Sequence, residues 1–256
     1  MFRTSNPALG DHVFDKAKQE AAPNTERMTI AGTVNKTAIL LALAMMTAMW
    51  AWNVVFPGSA TATIDALPSP PGWLLMGAPI LAFVAALVTI FKPTVAPISA
   101  PIYALLEGLF LGTISAMFEV KYPGIAMQAA FGTLATLGGL LLAYRSGLIK
   151  PTENFRLGIF AATSGIMMLY LISMVMGFFG AEMPFIHDSG PLGIGFSLVV
   201  VVIAALNLVL DFDFIENGEE AGAPIYMEWY GAFGLMVTLV WLYIEMLRLL
   251  AKLRDR

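Results

Sequence analysis

The stretch PLGIGFSLVVVVIAALNLVLDFDFIENGEEAGAP, residues 191–224, decides how the chain is read. Its first twenty residues, Pro191 to Leu210, carry no charge. Asp211 and Asp213 follow at once, then Glu216, Glu219 and Glu220, and no Lys or Arg appears again before Arg248. About 20 mostly apolar residues cross a bilayer as a helix. The stretch therefore reads as a membrane span that runs into negative charge with no cation near it in sequence.

The rest of the chain has the same character. Of its 256 residues 58% are hydrophobic and 12% charged, against about 25% charged in soluble domains, and mean hydropathy is +0.77. Seven stretches are long and apolar enough to span: 38–56, 73–91, 98–118, 124–144, 157–180, 191–214 and 229–251. Pro57-Gly58, Lys92-Pro93, Tyr122-Pro123-Gly124 and Gly190-Pro191 punctuate them, and Trp50, Trp52, Trp73, Tyr144 and Trp229 fall near their ends, where amphipathic rings favour the interface. The expected fold is all-α, a polytopic membrane protein of seven helices over residues 36–256 behind a polar cytoplasmic tail, 1–35. That tail shows no signal-peptide pattern. Nine Lys and Arg fall on the N-terminal side of the membrane and five on the other, which places the N-terminus in the cytoplasm. The basic C-terminal end argues weakly the other way: a re-entrant last segment would put both ends in the cytoplasm. Seven full spans are preferred.

Charge inside such spans is costly, about 2.5–3.5 kcal/mol per group on insertion scales, and marks functional candidates. The candidates are Glu107, Asp211, Asp213, Glu245 and Arg248, with Asn207 one helical turn before Asp211. Asp213 points about 160° away from Asp211 at about 100° per residue, so a solvated carboxylate at the helix end is its simplest reading. Either Glu245 and Arg248 are a local i,i+3 ion pair near a helix end with Arg248 snorkelling outward, or Glu245 is a buried titratable carboxylate. Glu107 lies beside Gly108 and Gly112, a GxxxG seam that lets another helix approach, and pinning an interhelical hydrogen bond is its expected role. Pro79, Pro97 and Pro101 bring possible kinks. The acidic run after Asp211 reads as a solvated connector or as a vestibule that concentrates cations.

Several classes are excluded or poorly supported. The chain has no Cys, hence no disulfide or thiolate site. A calcium loop counted from Asp211 fails at Glu216, which stands where Gly is needed, and at Gly222, where Glu is needed. His12 and His187 lie outside the spans, so an intramembrane zinc or Ser–His hydrolase lacks its His. No phosphate loop, dinucleotide fingerprint or nucleic-acid surface is present. No enzyme, cofactor or resident metal is expected.

The phrases LVLDFDFIE, YMEWYGAFGLMVTLVWLYIEMLRLL and YALLEGLFLG resemble the Bax inhibitor-1 family, and SNPAL with MTIAGTVNKTAILL resembles its bacterial YccA-like branch. The resemblance implies a bundle with the last helix packed centrally and a calcium leak controlled by pH. It further implies that a carboxylate in helix 6 and one in helix 7 share a proton. Leu208 to Asp211 is loosely similar to the helix 6 motif Leu-x-Asp, and Leu242-Tyr243-Ile244-Glu245 to the helix 7 motif Leu-Tyr-Leu-Asp. Asp211 and Glu245 are then the gating pair, with Glu in place of the family's Asp. Glu245 lies sixteen residues past Trp229, about 24 Å along a helix. The two meet only if helix 6 continues past Asp211 and helix 7 enters late.

The sequence therefore leads to a pH-sensitive cation leak channel, calcium being the first candidate, in the bacterial inner membrane. The alternative is a non-conducting regulator that binds a membrane protease or stress-response partner. A proton-coupled transporter lacks internal repeats here.

Overall fold

The computed structural model describes residues 26–56, 70–180 and 188–255. Seven long helices follow in order: α1 (Ile30–Val55), α2 (Ala78–Phe91), α3 (Ala96–Lys121), α4 (Ile125–Arg145), α5 (Glu153–Phe178), α6 (Pro191–Glu220) and α7 (Tyr226–Arg254). A π turn, Trp73–Gly77, leads into α2, and a 3-10 turn, Pro93–Val95, into α3. With these lead-ins, all seven are long and apolar enough to cross a membrane. Among the described residues there is no β-strand, only an isolated bridge between Arg27 and Pro224. Helices are the form that satisfies every backbone polar group within one segment, which lipid demands. The chain is an all-α, multi-pass membrane bundle.

Two boundaries differ from the expected ones. α1 begins at Ile30, ahead of both the expected span and the expected end of the tail. Thr29 caps it, its side chain accepting from the Gly32 N–H at 2.9 Å, and the last described residues before it are tied down: the Met28 N–H donates to the Ala223 carbonyl at 2.7 Å. Residues 1–25 of the expected tail lie outside the described residues. α6 runs on past Asp211 and Asp213 to Glu220 and ends in a left-handed turn at Gly222, φ +64°. There the Ala223 N–H reaches the Gly218 carbonyl at 3.0 Å, the closure that glycine permits at a helix end.

α7 is the central element. It packs against α1, α3, α4 and α6 and is buried along most of its length, from Met227 to Lys252. One side of α7 (Tyr230, Phe233, Met236, Val240) meets Tyr103 of α3 and Leu40 of α1. The other (Leu235, Leu239, Leu242) meets Leu208 and Phe212 of α6. Outward faces of the bundle carry exposed Phe83, Phe91, Phe131, Met168, Phe178 and Leu198, which suits contact with lipid.

Pro79 and Pro97 fall in the first turns of α2 and α3, where a missing N–H costs little; Pro101 lies inside α3. The GxxxG seam brings α3 onto α1. A Cβ added at Gly108 would lie 2.2 Å from the Ala44 carbonyl oxygen, and one at Gly112 2.1 Å from that of Ala48. Backbone cannot yield as a flexible side chain does. Gly112→Ala is expected to lower the thermal unfolding temperature in detergent, at about 1–3 kcal/mol for an overpacked contact. Gly139→Ala, where an added Cβ meets nothing, should leave it unchanged or raise it. Equal melting of the two variants would show that the α1–α3 seam is not a close contact.

Candidate functional site: buried carboxylates along α7

The charges that follow the oily part of α6 are compensated by groups distant in sequence. Asp213 turns away from α7 to α5, where Arg156 Nη2 donates to its carboxylate at 2.7 Å. It is therefore not the solvated helix-end carboxylate that the span boundary suggested: α6 continues past it and α5 covers it. Glu216 accepts from the Tyr144 hydroxyl of α4. Glu219 accepts from the Ile30 N–H at 2.9 Å. Glu228, in the first turn of α7, accepts from the Thr29 N–H and the Thr29 hydroxyl, each at 2.9 Å, and from Lys36.

Glu219 and Glu228 thus lie at the N-terminus of α1, where free N–H groups and the helix dipole favour negative charge. Gly32 makes this possible: a Cβ there would fall 2.0 Å from Glu228 Oε1. The acidic turn between α6 and α7 is a clasp on α1 and α4. Glu220 is exposed at its edge.

Asp211 is different. Its residue is fully buried, 0% exposed. It shares the inward face of α6 with Leu208 and Ile215, and Ile215 packs on Gly231 of α7. Asn207, one turn away, donates to the Thr163 hydroxyl of α5 at 2.9 Å and to the Ile203 carbonyl at 2.8 Å. Glu107 is buried on α3 beside the glycine seam. Among the described residues it makes no interhelical hydrogen bond; the backbone contact at Gly108 and Gly112 holds the helices together instead. Glu245 is 1% exposed. Its Oε1 accepts from the Tyr170 hydroxyl of α5 at 2.9 Å and from Arg248 Nη1 at 3.1 Å. Glu245 is thus buried and also carries the local ion pair. Arg248 also lies over the Tyr170 ring, 5.3 Å from its centroid.

A family model described as Bax inhibitor 1 like matches residues 6–255. The chain belongs to this family. No curated protein and no solved structure matches it.

In this Bax inhibitor 1 like chain the expected Asp211–Glu245 pair is not brought together. The contact of Ile215 with Gly231, and the bond from Lys252 to Ser197, set the α6–α7 register. Asp211 comes level with about Leu235 of α7, and Glu245 lies ten residues further along, about 15 Å at 1.5 Å per residue. α6 does continue past Asp211, as the pair requires, but α7 starts early, at Tyr226, and carries Glu245 toward the opposite end. Among the described residues no group of three or more His, Cys, Asp or Glu gathers as a metal site.

Sequence reading expected the α5 span but missed its polar stripe. Arg156, Thr163 and Tyr170 stand seven residues apart, on one stripe of the helix with buried Ile159 and Ile166. They hold Asp213, Asn207 and Glu245 respectively. The heptad spacing was the available signal. It also missed Lys36, Thr29 and Gly32, whose partner Glu228 is 192 residues from Lys36.

Removing one partner of a buried ion pair leaves an uncompensated charge, at a cost of about 3–5 kcal/mol. The Glu228 side chain is 4% exposed and that of Lys36 19%. Lys36→Met is therefore expected to destabilise the protein strongly in detergent unfolding, and the Lys36→Met/Glu228→Met double variant to recover part of the loss. A double variant no more stable than Lys36→Met alone would refute a strong coupling between the two.

Proposed function

We propose that this chain is a pH-sensitive cation leak of the Bax inhibitor-1 type, with calcium as its ion. We place it in the bacterial inner membrane, with the N-terminus cytoplasmic as the Lys and Arg distribution favours. The observation that carries the reading is Asp211, fully buried in the seam between the two most enclosed helices. A carboxylate at such a depth is costly and marks a candidate for ion or proton handling. Glu107 and Glu245 add buried acidic groups on the helices around and along α7.

The conformation supports a closed state. Leu208, Leu235, Leu239 and Leu242 pack together between Asp211 and the level of Glu245, and a hydrated ion needs that layer to part. Gaining or losing a proton at Asp211 changes the charge buried in the seam, and with it the α6–α7 contact. In this reading Asp211 is the gating carboxylate, while Glu245, well away from it along α7, links α5 to α7 through Tyr170.

One observation favours a second reading, a non-conducting regulator that binds a membrane protein partner. Glu216, Glu219 and Glu228 are committed to Tyr144, Ile30 and the Thr29–Lys36 pair, which argues for a structural clasp over an open cation vestibule.

Calcium flux into dye-loaded proteoliposomes, followed from pH 5 to 8, separates the readings. Wild type should leak calcium with a pH dependence that Asp211→Asn abolishes and Glu245→Gln retains. Loss in both variants would restore the shared-proton pair. Absence of flux above empty liposomes, from protein shown to be folded, would reject the leak in favour of the regulator.

A further inference from the structure

The end of the bundle opposite the N-terminus of α1 holds a cavity of about 720 Å³ between the ends of α3, α5 and α7 and the start of α6. Three cations line it, Lys121, Arg248 and Lys252, against one carboxylate, Asp255. The rest of the wall is amphipathic: Met117, Phe118 and Met174 supply apolar surface, Ser173, Ser189 and Ser197 hydroxyls.

The two cations of α7 are held in place by built contacts. Lys252 does not snorkel outward as a helix-end lysine usually does. It is 9% exposed and turns inward, donating to the Ser197 hydroxyl at 2.8 Å and the Gly193 carbonyl at 3.0 Å. Arg248 is set by Glu245 and the Tyr170 ring, and its side chain stays 46% exposed. With Nη1 on Glu245, a guanidinium has further N–H donors to offer.

Arg248 and Lys252 are also i,i+4 on one helix, a like-charge spacing that is unfavourable by itself. An anion against both removes that repulsion. Across the cavity, Lys121 pairs with Asp255 at 3.2 Å. The Tyr122 hydroxyl and the Lys121 ammonium hold the Asp255 carboxyl below the usual carboxylate range. It therefore stays charged at neutral pH and pairs with Lys121, while Arg248 and Lys252, with Glu245 and Asp188 near them, are the cations that face the cavity from α7.

We infer that this cavity binds a phosphate-bearing anion, its phosphate against Arg248 and Lys252 and its remaining bulk against the apolar wall. Arginine and lysine donors with neighbouring hydroxyls are the chemistry that recognises phosphate. Two sources present it at the end of a membrane bundle: the headgroup of an anionic lipid, or a soluble phosphate ester.

The test uses the full-length protein in detergent. Native mass spectrometry follows retention of phosphatidylglycerol and of phosphatidylcholine, and thermal shift follows glycerol phosphate. Wild type should retain phosphatidylglycerol in preference to phosphatidylcholine, whose ammonium the α7 cations repel. Arg248→Gln should weaken that retention about tenfold, the loss expected for one charge-assisted hydrogen-bonding group. Lys92→Gln, a cation at the other end of the bundle, should not. Lys121→Gln, at an exposed position, keeps the test interpretable if Arg248→Gln unfolds, and should leave the preference standing because Lys121 is paired. A response to glycerol phosphate that Arg248→Gln removes, without lipid retention, would assign the same site to a soluble ester. Binding of neither probe, or lipid retention unaffected by Arg248→Gln or equally lost in Lys92→Gln, would overturn the proposal.

Discussion

The contact on which the rest of the arrangement depends is the Glu228 carboxylate against the start of α1. It lies on Gly32, takes the Thr29 N–H and hydroxyl, and pairs with Lys36. Glu228 thus takes the N–H of the α1 cap residue and a lysine within the helix, Glu219 takes the next N–H, and together they fix the entry of α7. Without Glu228, the Thr29 N–H and the Lys36 ammonium would lose their carboxylate partner. Because α7 enters at that point, the depth of every polar group along it follows. Tyr243 comes within 2.7 Å of Ser115 on α3, Glu245 meets Tyr170 on α5, and Lys252 reaches the first turns of α6.

The helices around α7 are attached by different means. α3 joins α1 through backbone contact at two glycines, an attachment that is close and unable to slide. α6 joins α7 through interlocked Leu and Phe side chains. α5 buries only Ile159, Thr163 and Ile166 and relies on Arg156, Thr163 and Tyr170 for specific contacts. In lipid, apolar surface gains nothing from leaving water, so packing quality and interhelical hydrogen bonds carry association. Each such bond is modest, about 0.6 kcal/mol on average in membrane cycles. A row of three makes α5 the more weakly fastened helix, and one whose fastening responds to the charge of its partners.

The architecture was legible in hydropathy. Seven apolar runs gave seven helices, because a bilayer allows little else, and a glycine pair at i,i+4 announced the α1–α3 seam. Helix ends were less legible. Hydropathy stopped α6 near Asp213 because two aspartates and a glutamate look like the end of a span. The helix continues because Arg156 and Tyr144 meet those charges from α5 and α4. The start of α1 was hidden for the same reason: its cap includes Glu228, which no local window can see. Of the candidate site, burial of Asp211, Glu107 and Glu245 followed from their positions inside apolar runs. Their partners did not, because an interhelical contact is fixed by hairpin register, and register depends on where α7 begins.

The two ends of the bundle treat charge in opposite ways. At the α1 end the carboxylates of α6 and α7 are neutralised from within, by Arg156, Lys36 and the α1 N-terminus. At the other end Arg248 pairs with buried Glu245, Lys252 donates to Ser197 with Asp188 near it, and both cations face a cavity. A cation that crosses on the proposed path therefore enters or leaves past like charge, which lowers its local concentration there. The difference is relieved when an anion sits against Arg248 and Lys252. If both proposals hold, occupancy of the cavity and passage of a cation are linked through the charge at this end of the bundle. The link runs through Arg248, because that side chain both lines the cavity and holds Glu245.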